Sequence, residues 1–296
     1  MKRHGLENAP PLRVWIYAIL LALLLWVGML FNNAHAEAVR EDHFLRQCRT
    51  DIRALHNGVD GGNSRLVILL GTSLMEKVTR NLLWEEQSSS YGLQNLRFLK
   101  MTLPMSNLYH FLPVMDELLE KPPDLLLIES DLLFNVEYHS RFSLKYLMML
   151  PKSIMLRIMS PLRRKNHFRV LHRNPERILA RRLKTIQVQM GRLTVARGPF
   201  AGMVSRLRSR GVRVVIVEIP RSAPVDKVKR EVILSRHGAF VDFVKRSCGV
   251  PWLVYPEPLS PSWYSDSSHL TPRGARRFLS WLIPEIRNLL AGGMTP

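Results

Sequence analysis

Three short runs of uninterrupted apolar residues constrain this chain most: Val67-Ile-Leu-Leu70, Leu125-Leu-Leu-Ile128 and Val214-Val-Ile-Val217. Each is too brief for a helix with an apolar stripe. None alternates with polar residues, as a strand with one wet face would. Strands apolar on both sides need cover on both sides, and the stretches between them carry helical patterns. Strand signals cover Arg65–Leu70, Leu93–Met101, Asp124–Ser130, Val212–Ile219 and Pro251–Tyr255. Helical patterns run over Ser73–Trp84, Ser106–Glu120 and about Val225–Arg246. A last helix follows Thr271-Pro272, a hydroxyl N-cap with proline at the first helical position. The pattern predicts an α/β fold with a mainly parallel sheet covered on both faces. A chain of 296 residues with 46% hydrophobic content has ample core for it.

The amino-terminal part is of another kind. Residues 14–31 carry no charge, and as a helix they rise about 27 Å, close to the thickness of a bilayer core. Lys2, Arg3 and Arg13 precede the run and keep its start cytoplasmic, so residues 37 onward lie outside the cytoplasm. Ala34-His35-Ala36 is a small-x-small pattern, so two outcomes stay open: an uncleaved membrane anchor, or a signal segment removed on export. The division is residues 1–36 as anchor or signal segment and 37–296 as the exported domain. Cys48 and Cys248 fall in that domain, where a disulfide would persist, though two cysteines alone do not establish a bridge. No Cys or His spacing suits a metal, and no cofactor motif is present.

Charge is unevenly spread. The chain carries a formal +19, and Arg141–Arg213 holds 19 Lys and Arg against one acid, Glu176. Met148, Met149, Met155 and Met159 interleave with the early part of this charge. The segment reads as a basic helical insert at about 141–211, between sheet strands. A solvated basic face, a surface for anionic lipid headgroups and a groove for an anionic polymer all fit it. Export sets nucleic acid aside as a partner.

Two segments carry chemistry. Val67-Ile-Leu-Leu-Gly71-Thr-Ser73-Leu74 is a strand entering a tight turn that presents a serine; Asp266-Ser-Ser-His269-Leu270 sets an acid three residues before an imidazole. A serine becomes a nucleophile when a base takes its proton, and a carboxylate fixes that base's tautomer. Ser73 at the carboxyl edge of a parallel strand lies where ligands collect, with free amides nearby for an oxyanion. Ser73 is thus the candidate nucleophile, His269 the base and Asp266 its orienting acid. Trp263 and Tyr264 are candidates for a sugar-stacking wall, with core packing as the other reading. Arg221, after the fourth strand signal, is a candidate for an anionic group of the acceptor, with a plain surface arginine as the other reading. His110 and His139 have no spaced partner and read as structural.

Gly71-Thr72-Ser73-Leu74 after the first strand, with Asp266-x-x-His269-Leu270 before the last helix, resembles the SGNH (GDSL-like) hydrolase superfamily. Val214–Arg221 and the stretch from Tyr255 through Gly274 resemble its polysaccharide O-acetyltransferase-like branch. The resemblance covers roughly residues 65–135 and 212–290. It implies a flavodoxin-like three-layer sandwich and an exported or membrane-anchored enzyme that acylates or deacylates a cell-surface polysaccharide through an acyl-Ser73 intermediate. A multi-spanning membrane protein supplying the acyl group is a further implication. Two positions depart from the pattern. The family's glycine after the second strand is missing from Met101-Thr-Leu-Pro-Met-Ser106-Asn107. Its Gly-x-Asn after the third strand is here Glu129-Ser130-Asp131, and an ionised aspartate donates no hydrogen bond. The oxyanion candidates are therefore the Ser73 amide, Ser106 and Asn135. A non-catalytic module that binds polymer or membrane stands as the alternative.

Overall fold

The computed structural model describes residues 11–57, 65–79, 81–93, 95–104, 106–136, 180, 183–184 and 193–292. The chain divides into two compact units, residues 1–43 with 138–173 and residues 44–137 with 174–296. In the first unit the described part is helical. It belongs to α1 (Leu12–Asn57), whose stretch Leu12–Met29 is long and apolar enough to cross a membrane. No other described helix meets that test.

The second unit holds a five-stranded sheet. Its strands are β1 (Arg65–Gly71), β2 (Leu96–Thr102), β3 (Leu125–Glu129), β6 (Arg213–Glu218) and β7 (Trp252–Val254), in the order β2-β1-β3-β6-β7. Every pairing is parallel, with Ile68 opposite Leu99 and Leu126, and Leu126 opposite Val214. Passing over a small antiparallel ribbon of β4 (Phe134–Val136) and β5 (Leu193–Val195), this is the flavodoxin-like order. The chain reverses direction across the sheet at β1 and β3, the switch point outside whose carboxyl ends open α/β sheets bind ligands.

Alternate residues of each strand feed two cores. Ile68, Leu70, Leu126, Ile128, Val214 and Ile216 face the layer formed by the end of α1, α4 (Met115–Glu120), α5 (Arg197–Arg208) and α6 (Ala223–Asp242). Val67, Leu69, Leu125, Leu127, Val215 and Val217 face α2 (Ser73–Val78), α3 (Asn81–Ser90) and α7 (Pro272–Ala291). The result is a three-layer α/β sandwich. Cys48, buried in the first of these cores, and Cys248 at its margin are both free thiols, and burial pushes the Cys48 thiol up to about 12.

Three boundaries differ from the sequence reading. The expected helix over Ser106–Glu120 is two 3₁₀ turns, Leu108–His110 and Leu112–Val114, followed by the short α4. Asn107 caps the first turn, accepting from the Tyr109 amide at 3.0 Å, and Pro113 withholds a helical donor in the second. The basic insert ends earlier than residue 211. Arg197–Arg208 is a sheet-covering helix, because Phe200, Met203, Val204 and Leu207 make a helical stripe that is buried against the sheet while its arginines point outward. Residues 141–179, and with them most of the basic segment, lie outside the described residues, as does His139. Finally, α1 runs past residue 36 to Asn57, and Phe44, Leu45, Cys48 and Ile52 pack into the second unit's core.

Candidate active site

β1 ends at Gly71, and the chain turns directly into α2 through Thr72 and Ser73. Thr72 is the N-cap, its Oγ1 accepting the Leu74 amide at 3.2 Å. Gly71 is required at this turn. A Cβ there would lie 2.2 Å from Met75 Cβ and 2.8 Å from Glu129 Oε2. Ser73 thus stands at the carboxyl edge of β1, at the switch point.

The second segment comes from the loop before α7. Thr271 caps that helix, accepting from the Gly274 amide at 3.3 Å, with Pro272 at its first position. Above the cap the loop folds on itself. Tyr264 bridges Leu270, and the Ser265 amide donates to the His269 carbonyl at 2.8 Å. Asp266 Oδ1 accepts the amides of Ser268 (2.7 Å) and His269 (3.0 Å), which fixes its carboxylate toward the ring.

These two pieces, 196 residues apart, meet. Ser73 Oγ is 3.1 Å from His269 Nε2, and His269 Nδ1 is 2.8 Å from Asp266 Oδ2. Burial works to raise the Asp266 pKa. The hydrogen bonds from His269 and the two amides overcome it and hold the acid well below the usual carboxylate range. An ionised Asp266 keeps a proton on Nδ1, so Nε2 is left with a lone pair facing Ser73.

The oxyanion candidates separate. Around Ser73 the amides of Thr72, Leu74 and Met75 are all spent, whereas the Ser73 amide has no partner among the described residues. The Ser106 amide donates to the Leu103 carbonyl at 3.2 Å and is not free, although its Oγ is buried without a partner. Asn135 lies in β4 opposite Thr194, in the ribbon separate from the sheet that carries Ser73.

Arg221 is held by two acids and lines a cavity. Its guanidinium pairs with Asp131, its amide donates to Asp226 Oδ2 at 3.1 Å, and its side chain is mostly buried. Asp131, standing where the family pattern has asparagine, also accepts from Lys229 Nζ at 2.9 Å. Burial works against its charge, but the two cations hold its pKa below the usual range. Trp263 and Tyr264 pack against the core on the α7 side. The Tyr264 hydroxyl is committed, donating to the Arg221 carbonyl at 2.8 Å.

Sequence reasoning missed the charges beneath the site. Glu129, Lys229 and Glu218 join Asp131 and Arg221 in a largely buried cluster, with Lys229 Nζ 3.6 Å from Glu218 Oε1. The signal was present in Leu125–Glu129, where an acid closes a strand that is otherwise wholly apolar. Among the described residues, no three His, Cys, Asp or Glu side chains converge as metal ligands.

No protein-family model and no curated protein matches the chain. Among solved structures it is similar to the acetyl xylan esterase AlAXEase, at 10% identity over 75% of this chain and 99% of that one, with a TM-score of 0.39. TesA is similar at 13% identity over 76% and 99%, with a TM-score of 0.40. A G-D-S-L family protein from Desulfitobacterium hafniense is similar at 10% identity over 76% and 98%, with a TM-score of 0.38.

Proposed function

We propose that this chain is a membrane-anchored serine acyl-transfer enzyme of the SGNH (GDSL-like) type. Acyl transfer is carried by one observation: the continuous hydrogen-bonded line Ser73 Oγ, His269 Nε2, His269 Nδ1, Asp266 Oδ2 at 3.1 and 2.8 Å. In the first half-reaction Ser73 Oγ attacks the carbonyl carbon of an acyl ester while His269 Nε2 takes its proton. The carbonyl oxygen becomes an oxyanion facing the free Ser73 amide. His269 then hands the proton to the departing alkoxide, leaving acyl-Ser73. In the second half a hydroxyl gives its proton to Nε2 and attacks the acyl carbon, and the proton returns to Ser73 as the bond breaks.

Whether that hydroxyl is water or a sugar decides between an esterase and an O-acyltransferase. The reading favoured by the family resemblance is O-acetylation or deacetylation of a cell-surface polysaccharide. The span in α1, preceded by Lys2, Arg3 and Arg13, supports a single-pass topology with the second unit outside the cytoplasm. There the basic segment would face anionic headgroups or polymer, and a multi-spanning partner would supply the acyl group.

A serine-directed phosphonate tests the chemistry without a known substrate. Wild-type protein should take one adduct, located at Ser73 by peptide mass spectrometry, while Ser73→Ala and His269→Ala take none. A chromogenic acetyl ester should be cleaved above the Ser73→Ala background. Absence of adduct on folded wild-type protein would refute an activated serine and leave the binding-module alternative.

A further inference from the structure

Glu129 is the least expected side chain of the sheet. It ends an apolar strand, is 1% exposed, and lies directly under the turn that presents Ser73. Its Oε2 accepts the amides of Thr72 (2.7 Å) and Met75 (3.2 Å), and its Oε1 is 2.6 Å from Thr72 Oγ1. Thr72 Oγ1 holds the Leu74 amide in turn. One carboxyl group therefore fixes three amides flanking Ser73, two directly and one through Thr72, and leaves the Ser73 amide open. The absent Cβ of Gly71 is what lets the carboxyl group come so close.

The charges around Glu129 are unevenly shared. Asp131, on the turn after β3, takes both nearby cations, Arg221 from the end of β6 and Lys229 from α6. Glu218 of β6 reaches the cluster behind Lys229, and His269 faces the turn from the Ser73 side. Glu129 is left with neutral donors. Burial, then the Asp131 charge, push its acid up to about 7, against the Thr72 hydrogen bonds and the more distant Arg221.

We propose that Glu129 is the positioning residue of the nucleophile turn: its buried carboxyl group clamps Thr72 and Met75 on either side of Ser73 and aims Ser73 Oγ at His269. The Thr72 hydroxyl donates to Oε1 while Oε2 accepts both amides, so the two carboxyl oxygens hold the turn at three points. This rests on the acyl-transfer reading of Ser73, while the clamp itself has a readout independent of it.

The test uses the full chain in detergent micelles, as wild type, Glu129→Gln and Glu129→Ala. Amide hydrogen exchange follows the Thr72–Met75 turn, and phosphonate labelling of Ser73 is timed from about pH 5 to about pH 9. Glutamine supplies a carbonyl for both amides and an N–H for Thr72 Oγ1. It should keep the turn protected and label within about threefold of wild type near pH 6. Alanine should lose the protection and label at least about tenfold more slowly, since misaiming a nucleophile by an ångström is that costly. Wild-type protection and labelling in the Ala variant would overturn the clamp. Should no version label, wild type included, the acyl-transfer reading fails, and hydrogen exchange still decides the clamp.

Discussion

Gly274→Ala is the substitution that most directly tests how the acid–base loop is held. A Cβ at Gly274 would lie 2.4 Å from the Trp263 carbonyl oxygen, where ordinary contact begins near 3.4 Å. Something must therefore yield by about 1 Å, and both sides are anchored. Gly274 lies in the first turn of α7, and the Trp263 carbonyl accepts from the Thr271 amide (2.8 Å) and hydroxyl (3.1 Å). Losing one or both of those bonds costs about 1 kcal/mol each, and overpacking adds about 1–3 kcal/mol. The alanine returns up to about 1 kcal/mol through helix propensity. The net loss is about 1–5 kcal/mol, or roughly 2–20 °C in Tm for a domain of this size. The displacement also reaches the site, because Trp263 adjoins the bridge from Tyr264 to Leu270 that carries Asp266 and His269. A 1 Å misplacement of the base is worth about 10²-fold in rate. Near-ultraviolet circular dichroism gives the melting shift, and phosphonate labelling of Ser73 gives the rate. Gly238→Ala is the control: in the middle of α6 its Cβ would meet nothing within 4 Å, so it should stabilise by about 0.5–1 kcal/mol. A Gly274→Ala protein that melts and labels like Gly238→Ala would refute the reasoning.

Asp266→Asn should slow Ser73 labelling by about 10³–10⁴-fold, since asparagine no longer enforces the tautomer that leaves Nε2 free. Because folding depresses the Asp266 pKa, its ionised form stabilises the protein above the usual carboxylate range, and this contribution is lost as pH falls. Urea unfolding should therefore show wild type and Asn variant converging in acid. Glu129 has the opposite sign. Its folded value, about 7, lies above the ordinary 4.5, so the native state holds the proton more tightly and stability drains away as pH rises through that window. Glu129→Gln should remove this slope, which urea midpoints at about pH 5 and about pH 8 will show. Asp131→Ala strands two buried cations and should cost about 3–5 kcal/mol. Adding Lys229→Met should recover part of that loss in the same assay.

The sheet was legible because β1, β3 and β6 are apolar on both faces, and a strand with that pattern has few other places to go. The start of α7 was legible for a local reason too, since Thr271 and Pro272 are chemically suited to the first two positions of a helix. The 3₁₀ turns were not. Leu108, Phe111, Leu112 and Met115 satisfy a helical period, yet Asn107 and Pro113 break it into short pieces by local hydrogen-bonding chemistry. In α5 the stripe Phe200, Met203, Val204 and Leu207 was readable, but the surrounding arginines drew the eye to charge. Ser73, Asp266 and His269 stood out because each belongs to a compact motif. Their approach to 3.1 Å is a product of the fold, which places a loop after β7 above the edge of β1. The partner choices of Arg221 and Asp131 depend on β3, β6 and α6 meeting in space, and no local pattern encodes that.

Those partner choices account for an aspartate at position 131. An asparagine after β3 would offer a neutral donor, but here two buried cations need an anion, and Asp131 satisfies both. The same pairing ties the floor of the site to its loop. The Arg221 carbonyl receives the Tyr264 hydroxyl, and Ser222 donates its amide (3.2 Å) and hydroxyl (2.9 Å) to the Ser267 carbonyl. Asp131 thus supplies charge to Arg221 and Lys229, and through Arg221 rigidity to the loop that carries His269.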